Sequence, residues 1–219
     1  YARQDRKDKP RVPITSKLVA NLLTKAGADR ILTMDLHVDQ IQGFFDIQVD
    51  HLFATPVIVD YFRRKDLSNL VVLSPDVGGL RRARAYAKVL KVPLAIVDKR
   101  RPIANEAEVI QIVGEVEGKK VLIIDDMIDT GGTILAAVDI LRKNGAEEIY
   151  AACTHPVFSG NAIERLINSP LKEILVTDTI FLDPRKINSK IKILSVANLL
   201  GEAIRRIHEN RSVSSLFNI

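Results

Sequence analysis

Short apolar runs recur along the chain at a spacing that suits strands covered on both faces. RILTMDL (30–36), NLVVLSP (69–75), PLAIVD (93–98), KVLIIDD (120–126), EIYAACTHPVF (148–158), EILVTDT (173–179) and IKILSV (191–196) are rich in Ile, Leu and Val, the composition of parallel strands buried on two sides. Between these runs the apolar positions follow a helical period. Ile14–Lys25 carries Leu18, Val19, Leu22 and Leu23, with Gly27 as a stop. Pro56–Arg64 follows Thr55, a predicted N-cap, and has Pro in its first turn. Leu80–Leu90 follows a Gly-Gly turn. Thr133–Lys143 places Ile134, Val138 and Leu141 on one face and ends before Gly145. Asn161–Ile167 and Val196–His208 complete the set. Strand–helix alternation predicts an α/β fold, a parallel sheet flanked by helices.

The alternation is uneven along the chain. Upstream of a boundary expected near 50–56, one helix and one strand are too little for a stable domain. Residues 1–52 therefore read as the second half of an N-terminal domain. Residues 53–204 read as a complete α/β catalytic domain, and 205–219 as a C-terminal segment packing back on the N-terminal part. The chain opens on Tyr1 and a charged stretch, YARQDRKDKPR, which reads as a fragment or processed chain lacking its true start.

Composition narrows the classes without choosing among them. With 47% hydrophobic and 27% charged residues, this is an ordinary globular composition, and no apolar run reaches membrane-spanning length. A net charge of +5 suits anionic small molecules as well as nucleic acid. Aromatic residues are 5% of the chain and Trp is absent, so stacking platforms for single strands are scarce. Neither nucleic acid nor membrane is expected as a partner. The single cysteine, Cys153, excludes an intramolecular disulfide and favours a reducing, cytoplasmic setting.

Chemistry gathers where apolar runs stop. In VLIIDDMIDTGGT (121–133) four apolar residues run into Asp125 and Asp126, then Asp129 and the turn Thr130-Gly131-Gly132-Thr133. Ligands of open α/β sheets bind at the carboxyl ends of strands. Glycines let the backbone approach an anion, Thr hydroxyls add donors, and the following helix dipole favours a phosphate. Two carboxylates beside such a cradle suit a phosphorylated sugar, because carboxylates accept hydrogen bonds from vicinal hydroxyls. The string is not a Walker A motif, because the G-K-[ST] is missing. In LSPDVGGLRRARAYA (73–87) a second apolar run ends in Asp76, then Gly78-Gly79, then Arg81, Arg82 and Arg84. These suit a polyphosphate, with Asp76 a candidate Mg²⁺ ligand. TMDLHVDQIQGFF (33–45) puts Asp35 and His37 two apart at a strand end, facing the same way on a strand period. Lys99, Arg100 and Arg101 precede Pro102 in VDKRRPIANEAEV (97–109), a pattern that most often marks a solvated loop.

Together these strings resemble the ribose-phosphate pyrophosphokinases; the first of them alone also resembles the ribose-5-phosphate loop of type I phosphoribosyltransferases. The resemblance spans essentially the whole chain and five motifs. It implies two domains of the type I phosphoribosyltransferase-like fold, the first incomplete here. It implies transfer of the diphosphoryl group of ATP to the anomeric hydroxyl of ribose 5-phosphate, with Mg²⁺, in nucleotide biosynthesis, by a homo-oligomer that is a hexamer built from dimers. Residue by residue, it gives ribose 5-phosphate to Arg101, Asp125, Asp126, Asp129, Thr130, Gly131, Gly132 and Thr133. It makes Asp76, Gly78 and Gly79 the pyrophosphate loop, and places Arg3, Gln4 and His37 at ATP. His37 and Asp76 are the implied metal residues, and Lys99 and Arg101 the catalytic pair; Arg100 is assigned nothing. Two alternatives stay open. A phosphoribosyltransferase would explain the 121–133 string but not the second acid-Gly-Gly loop. A non-catalytic regulatory relative would keep the fold but has no need of Lys99, Arg101, Asp76 and His37.

Overall fold

The computed structural model describes residues 1–7, 9–66, 68–100 and 109–216; at 99, 100, 109 and 110 it describes the backbone alone. The chain divides into two units. One is Tyr1–Ala54 with the 3-10 turn Ser214–Leu216, the other Thr55–Val213.

In the first unit, helix α1 (Thr15–Lys25) leads to strand β1 (Arg30–Met34), a 3-10 turn (Asp39–Phe44) and strand β2 (Gln48–Leu52). β1 and β2 pair in parallel, from Arg30 with Gln48 to Met34 with Leu52. The expectation of one strand in this region is corrected to two. QVDHL escaped the apolar reading because it is half polar: Asp50 accepts from Arg30 Nε at 2.6 Å across the pair. The expected common face of Asp35 and His37 is corrected as well. β1 stops at Met34, and Asp35 turns into the left-handed region with φ 42°, so strand alternation does not reach His37.

The second unit runs α2 (Thr55–Arg63), β3 (Leu70–Ser74), α3 (Leu80–Leu90), β4 (Leu94–Arg100), β5 (Val109–Val113), β6 (Lys120–Ile128), α4 (Gly132–Lys143), β7 (Glu148–Pro156), α5 (Ala162–Ile167), β8 (Glu173–Thr177), β9 (Ile191–Leu194) and α6 (Ala197–His208). Seven strands form one sheet in the order β5-β4-β3-β6-β7-β8-β9. All neighbours are parallel except β4 and β5, which pair antiparallel from Ile96 with Val113 to Arg100 with Val109. The α/β expectation holds, with this edge strand as its departure. VIQIV lies behind the polar stretch ANEAE, and the expected loop, 97–109, took in its first residue, Val109, and left the other four unassigned.

The Ile, Leu and Val runs are explained by cover on both faces. β3 is buried at every position. Val121 and Ile123 of β6 join Ile134, Val138 and Leu141 of α4 in one core cluster. The alternate positions Leu122 and Ile124 are equally buried, on the other face of the strand. Among the described residues, no helix is long and apolar enough to cross a membrane.

Strand order fixes where a ligand can sit. From β3 the chain crosses through α3 to β4 on one side; from β6 it crosses through α4 to β7 on the other. The order reverses between β3 and β6, and a crevice opens beyond their carboxyl ends at such a point. β3 and β6 stay paired only from Leu70 with Lys120 to Leu73 with Ile123, whereas β6 and β7 stay paired to Ile128 and Pro156. Asp125–Ile128 thus runs on past the end of β3. The acid pair, expected at a strand end, lies inside a strand two residues longer than KVLIIDD.

Candidate functional site

Both acid-glycine strings flank that reversal. After β3, the Gly79 amide donates to Asp76 Oδ1 at 2.9 Å, and Ser74 Oγ donates to the Asp76 carbonyl at 2.7 Å. The Asp76 carboxylate thereby ties the turn to the start of α3, as a capping side chain does. The glycines are needed for room. A Cβ on Gly78 would lie 3.3 Å from Asp76 Oδ1, and one on Gly79 3.0 Å from Ser74 Oγ.

Beyond β6, Asp129 and Thr130 lead to Gly131, which enters α4 at φ 75° with no side-chain cap. Four amides at a helix start have no partner within the helix, so this end suits an anion. Thr130, Gly132 and Thr133 are exposed at the surface, and Gly131 is buried. The turn is held from behind by segments that the sequence reading did not single out. Phe158 N–H donates to the Ile128 carbonyl at 3.0 Å and Ser159 N–H to the Asp129 carbonyl at 3.1 Å. Arg165 Nη1 donates to the Thr130 carbonyl at 3.2 Å. Phe158 is itself left-handed, with φ 48°. Nothing in the one-dimensional pattern links FSG to DTGG; only the parallel pairing of β6 with β7 does.

Arg82 was expected to face a polyphosphate beside Arg81 and Arg84. Instead, it turns to the acid pair, with Nη1 3.4 Å from Asp126 Oδ1 and 3.7 Å from Asp125 Oδ1. Arg81 and Arg84 are exposed. The Asp126 side chain is 3% exposed, and a buried charge of this kind requires a partner. Asp125 is pushed up from the ordinary carboxylate range by burial first and by its neighbour Asp126 next, while the Arg82 charge pulls it down. Its Oδ1 accepts from the Asp126 amide at 2.9 Å. Across the strand pairing lies Cys153, fully buried, its thiol pushed well up by burial and then by the Asp125 charge. That thiol is inert, a small core residue.

The remaining site residues fall elsewhere. Lys99 is the last residue but one of strand β4, paired with Ile110, and Arg101 lies outside the described residues. Arg3, Gln4 and His37 belong to the first unit. There the Gln4 carbonyl accepts from Ser16 Oγ at 2.8 Å, which ties the 1–7 segment to the start of α1. Beside His37, the Leu36 amide donates to His51 Nε2 at 2.9 Å, and Asp35 Oδ2 accepts from the Ala54 amide at 2.8 Å. His51 was missed because a lone histidine on a polar strand carries no signal. Its other ring nitrogen, Nδ1, lies 3.3 Å from Gln42 Nε2 and 3.7 Å from Asp39 Oδ1. Among the described residues, no group of three or more His, Cys, Asp or Glu side chains is arranged to hold a metal.

Known proteins carry the same arrangement of sequence. Residues 1–27 match the family model for the N-terminal domain of ribose phosphate pyrophosphokinase, and residues 99–218 that for the phosphoribosyl synthetase-associated domain. The ribose-phosphate pyrophosphokinase of Corynebacterium ammoniagenes is 59% identical over the whole of this chain, which spans 69% of that protein. That of Fusobacterium nucleatum is also 59% identical, with 70% of its length covered. The crystal structure of phosphoribosylpyrophosphate synthetase from Mycobacterium smegmatis superposes with a TM-score of 0.90 at 45% identity, over 96% of this chain and 69% of that one. Identity of this order across the full length, on a sheet whose two acid-glycine turns flank its reversal, places the chain in the ribose-phosphate pyrophosphokinase family.

Proposed function

We propose that the chain transfers the diphosphoryl group of ATP to the anomeric hydroxyl of ribose 5-phosphate, giving 5-phosphoribosyl 1-pyrophosphate and AMP. The anomeric oxygen bonds to the β-phosphorus, the bond from that phosphorus to the α-phosphate oxygen breaks, and the hydroxyl proton leaves. One observation carries this reading. Two acid-glycine turns, Asp76-Val77-Gly78-Gly79 and Asp129-Thr130-Gly131-Gly132, follow the adjacent strands β3 and β6 where strand order reverses. A single anion would need one cradle; a sugar phosphate and a diphosphate need two.

The roles follow from chemistry. Asp125 and Asp126 accept hydrogen bonds from the vicinal ribose hydroxyls. The segment Asp129 to Thr133 holds the 5-phosphate through backbone amides and Thr hydroxyls. Gly78 and Gly79 let the backbone approach the diphosphate, and Arg3, Gln4 and His37 serve the nucleotide. Lys99 and Arg101 stabilise charge that develops on the transferred group, the largest contribution a protein makes to such a step. Mg²⁺ suits the donor set, because it takes few protein ligands, favours carboxylate oxygen and keeps substrate phosphates and water. Asp76 and His37 are the residues that would hold it, and when bound it neutralises phosphate charge. The family resemblance supports a homo-oligomer, a hexamer built from dimers, in the cytoplasm.

The direct test is AMP release from ATP, measured with and without ribose 5-phosphate. Release that depends on the sugar phosphate supports the reading, whereas release of pyrophosphate from a phosphoribosyl donor with a base replaces it by a phosphoribosyltransferase. Lys99→Ala should lower turnover by roughly 10²–10³ with a smaller effect on substrate binding. Near-normal turnover would remove Lys99 from the chemistry.

A further inference from the structure

We infer that Arg165 is a positioning residue for the 5-phosphate: through the Thr130 carbonyl it fixes the peptide plane that carries the Gly131 amide, and so aims that amide into the cradle. This rests on the reading of Asp129 to Thr133 as the 5-phosphate site. Consecutive carbonyls from Ile128 to Gly131 cross the turn from β6 into α4, and each accepts a hydrogen bond. Ile128 accepts from the Phe158 amide at 3.0 Å, Asp129 from the Ser159 amide at 3.1 Å and Gly131 from the Leu135 amide at 2.9 Å. Thr130 accepts from Arg165 Nη1 at 3.2 Å. Backbone amides hold the others; a side chain holds this one.

The Thr130 carbonyl is also the one that needs a tie. A trans peptide is planar, with its carbonyl and its amide on opposite sides. With the Thr130 carbonyl drawn toward α5, the Gly131 N–H points away from α5. Turning that plane over would present a carbonyl oxygen to the phosphate. A residue with a Cβ at 131 would bias the plane toward one φ. Glycine takes φ above and below zero about equally well, and Gly131 stands at φ 75°. Local sterics thus leave the plane undecided, and the Arg165 bond decides it. The next residue of α5 backs the same unit: a Cβ on Gly131 would meet Leu166 Cγ at 3.4 Å. The guanidinium charge adds to the effect, because it polarises the carbonyl it holds and strengthens the Gly131 N–H as a donor.

The experiment is calorimetric titration of the 219-residue chain with ribose 5-phosphate at about 0.05 M and about 0.5 M NaCl, which bracket physiological screening. The Gly131 amide proton is followed by NMR in parallel. Variants are Arg165→Met, Arg165→Gln, Arg165→Lys and Thr133→Val. In wild type, ribose 5-phosphate should move the Gly131 proton downfield, as donation to an anion does. Arg165→Met should weaken binding about three- to tenfold, the scale of one net hydrogen bond, because only chains with the plane correctly turned bind. That factor should be the same at both salt concentrations, and Arg165→Lys, which keeps a donor, should recover part of it. Arg165 is exposed, so its removal spares the core. Where Arg165→Met does not fold, the shorter, uncharged Arg165→Gln carries the same expectation. A factor that vanishes at high salt overturns the inference and makes Arg165 a distant charge. Unchanged affinity in whichever variant folds, with or without a lower Tm, overturns it too, as does a Gly131 proton that ribose 5-phosphate does not move. In each of these cases Thr133→Val still weakens ribose 5-phosphate if the site stands. No effect of Thr133→Val, or no binding by wild type, removes the 5-phosphate reading, and the inference with it.

Discussion

The Gly79 amide and the Asp76 carboxylate close the turn after β3 with a 2.9 Å hydrogen bond. The turn is shaped from beneath by Ser74, whose Oγ holds the Asp76 carbonyl and would sit 3.0 Å from a Cβ at position 79. Gly79 has φ −80° and ψ −5°, which any residue adopts, so its constraint is space. Gly79→Ala should destabilise by about 1–3 kcal/mol, the range for overpacking. Ser74→Ala should relieve most of that in the double variant. Chemical denaturation of the two single variants and the double gives the coupling. Strict additivity would mean that Ser74 is not the obstacle.

Gly131 is constrained differently. Its φ of 75° is left-handed, and a Cβ there would meet Leu166 Cγ at 3.4 Å, an ordinary contact. Gly131→Ala should therefore cost about 1–2 kcal/mol through backbone strain and weaken phosphate binding at the cradle. Trimming Leu166 should give no relief. Recovery on Leu166→Ala, measured in the same way, would show that space decides at this position too.

How much of this was legible in sequence depends on whether a feature is local. Ile123 and Ile124 announce a doubly covered strand because both faces need apolar cover. Asp129 to Thr133 suggest an anion cradle because helix dipole and glycines act within five consecutive residues. The antiparallel turn of β5 was hidden because VIQIV is too short to declare its direction. Arg82 was misread because its side chain answers to β6, some forty residues on, and no period along α3 records that. Ser159 and Arg165 were missed for the same reason: they hold the Asp129 turn across a strand pairing. The bond from the Leu36 amide to His51 joins two segments fifteen residues apart, and such a bond leaves no trace in composition.

Asp35 should behave as a conformational anchor in the first unit. It combines a left-handed φ of 42° with a hydrogen bond to the Ala54 amide at 2.8 Å and is 3% exposed. Asp35→Ala leaves a buried amide without that acceptor, at about 1–3 kcal/mol, and loses a side chain suited to φ above zero. Asp35→Asn keeps both features and should cost less than half as much. Thermal melts of the two variants decide this, and equal losses would show that charge at Asp35, rather than geometry, is what matters.

Asp125 ties sugar recognition to a loss of stability whose sign can be worked out. In the folded chain its carboxyl is pushed up to about 8, by burial and then by Asp126, against about 3.9 when unfolded. Between those values the folded chain holds a proton that the unfolded chain has released. Stability from this group is thus complete below the lower value and drains away as pH rises through the upper one. Asp66, Glu148, Asp183 and Glu202, whose carboxyls are held low by lysine or arginine partners, act in the opposite sense as pH falls. They are common to wild type and variant and cancel in a difference. Asp125→Asn cannot ionise, and its amide oxygen can still accept from the Asp126 amide. The variant should therefore match wild type near pH 4, gain on it as pH rises to about 8 and gain little beyond that, read as the difference in Tm. It should also bind ribose 5-phosphate more weakly across that range, because an amide offers the hydroxyls fewer acceptors. A flat difference in Tm, or one that favours wild type as pH rises, would show that the folded chain carries Asp125 ionised, with Arg82 outweighing burial.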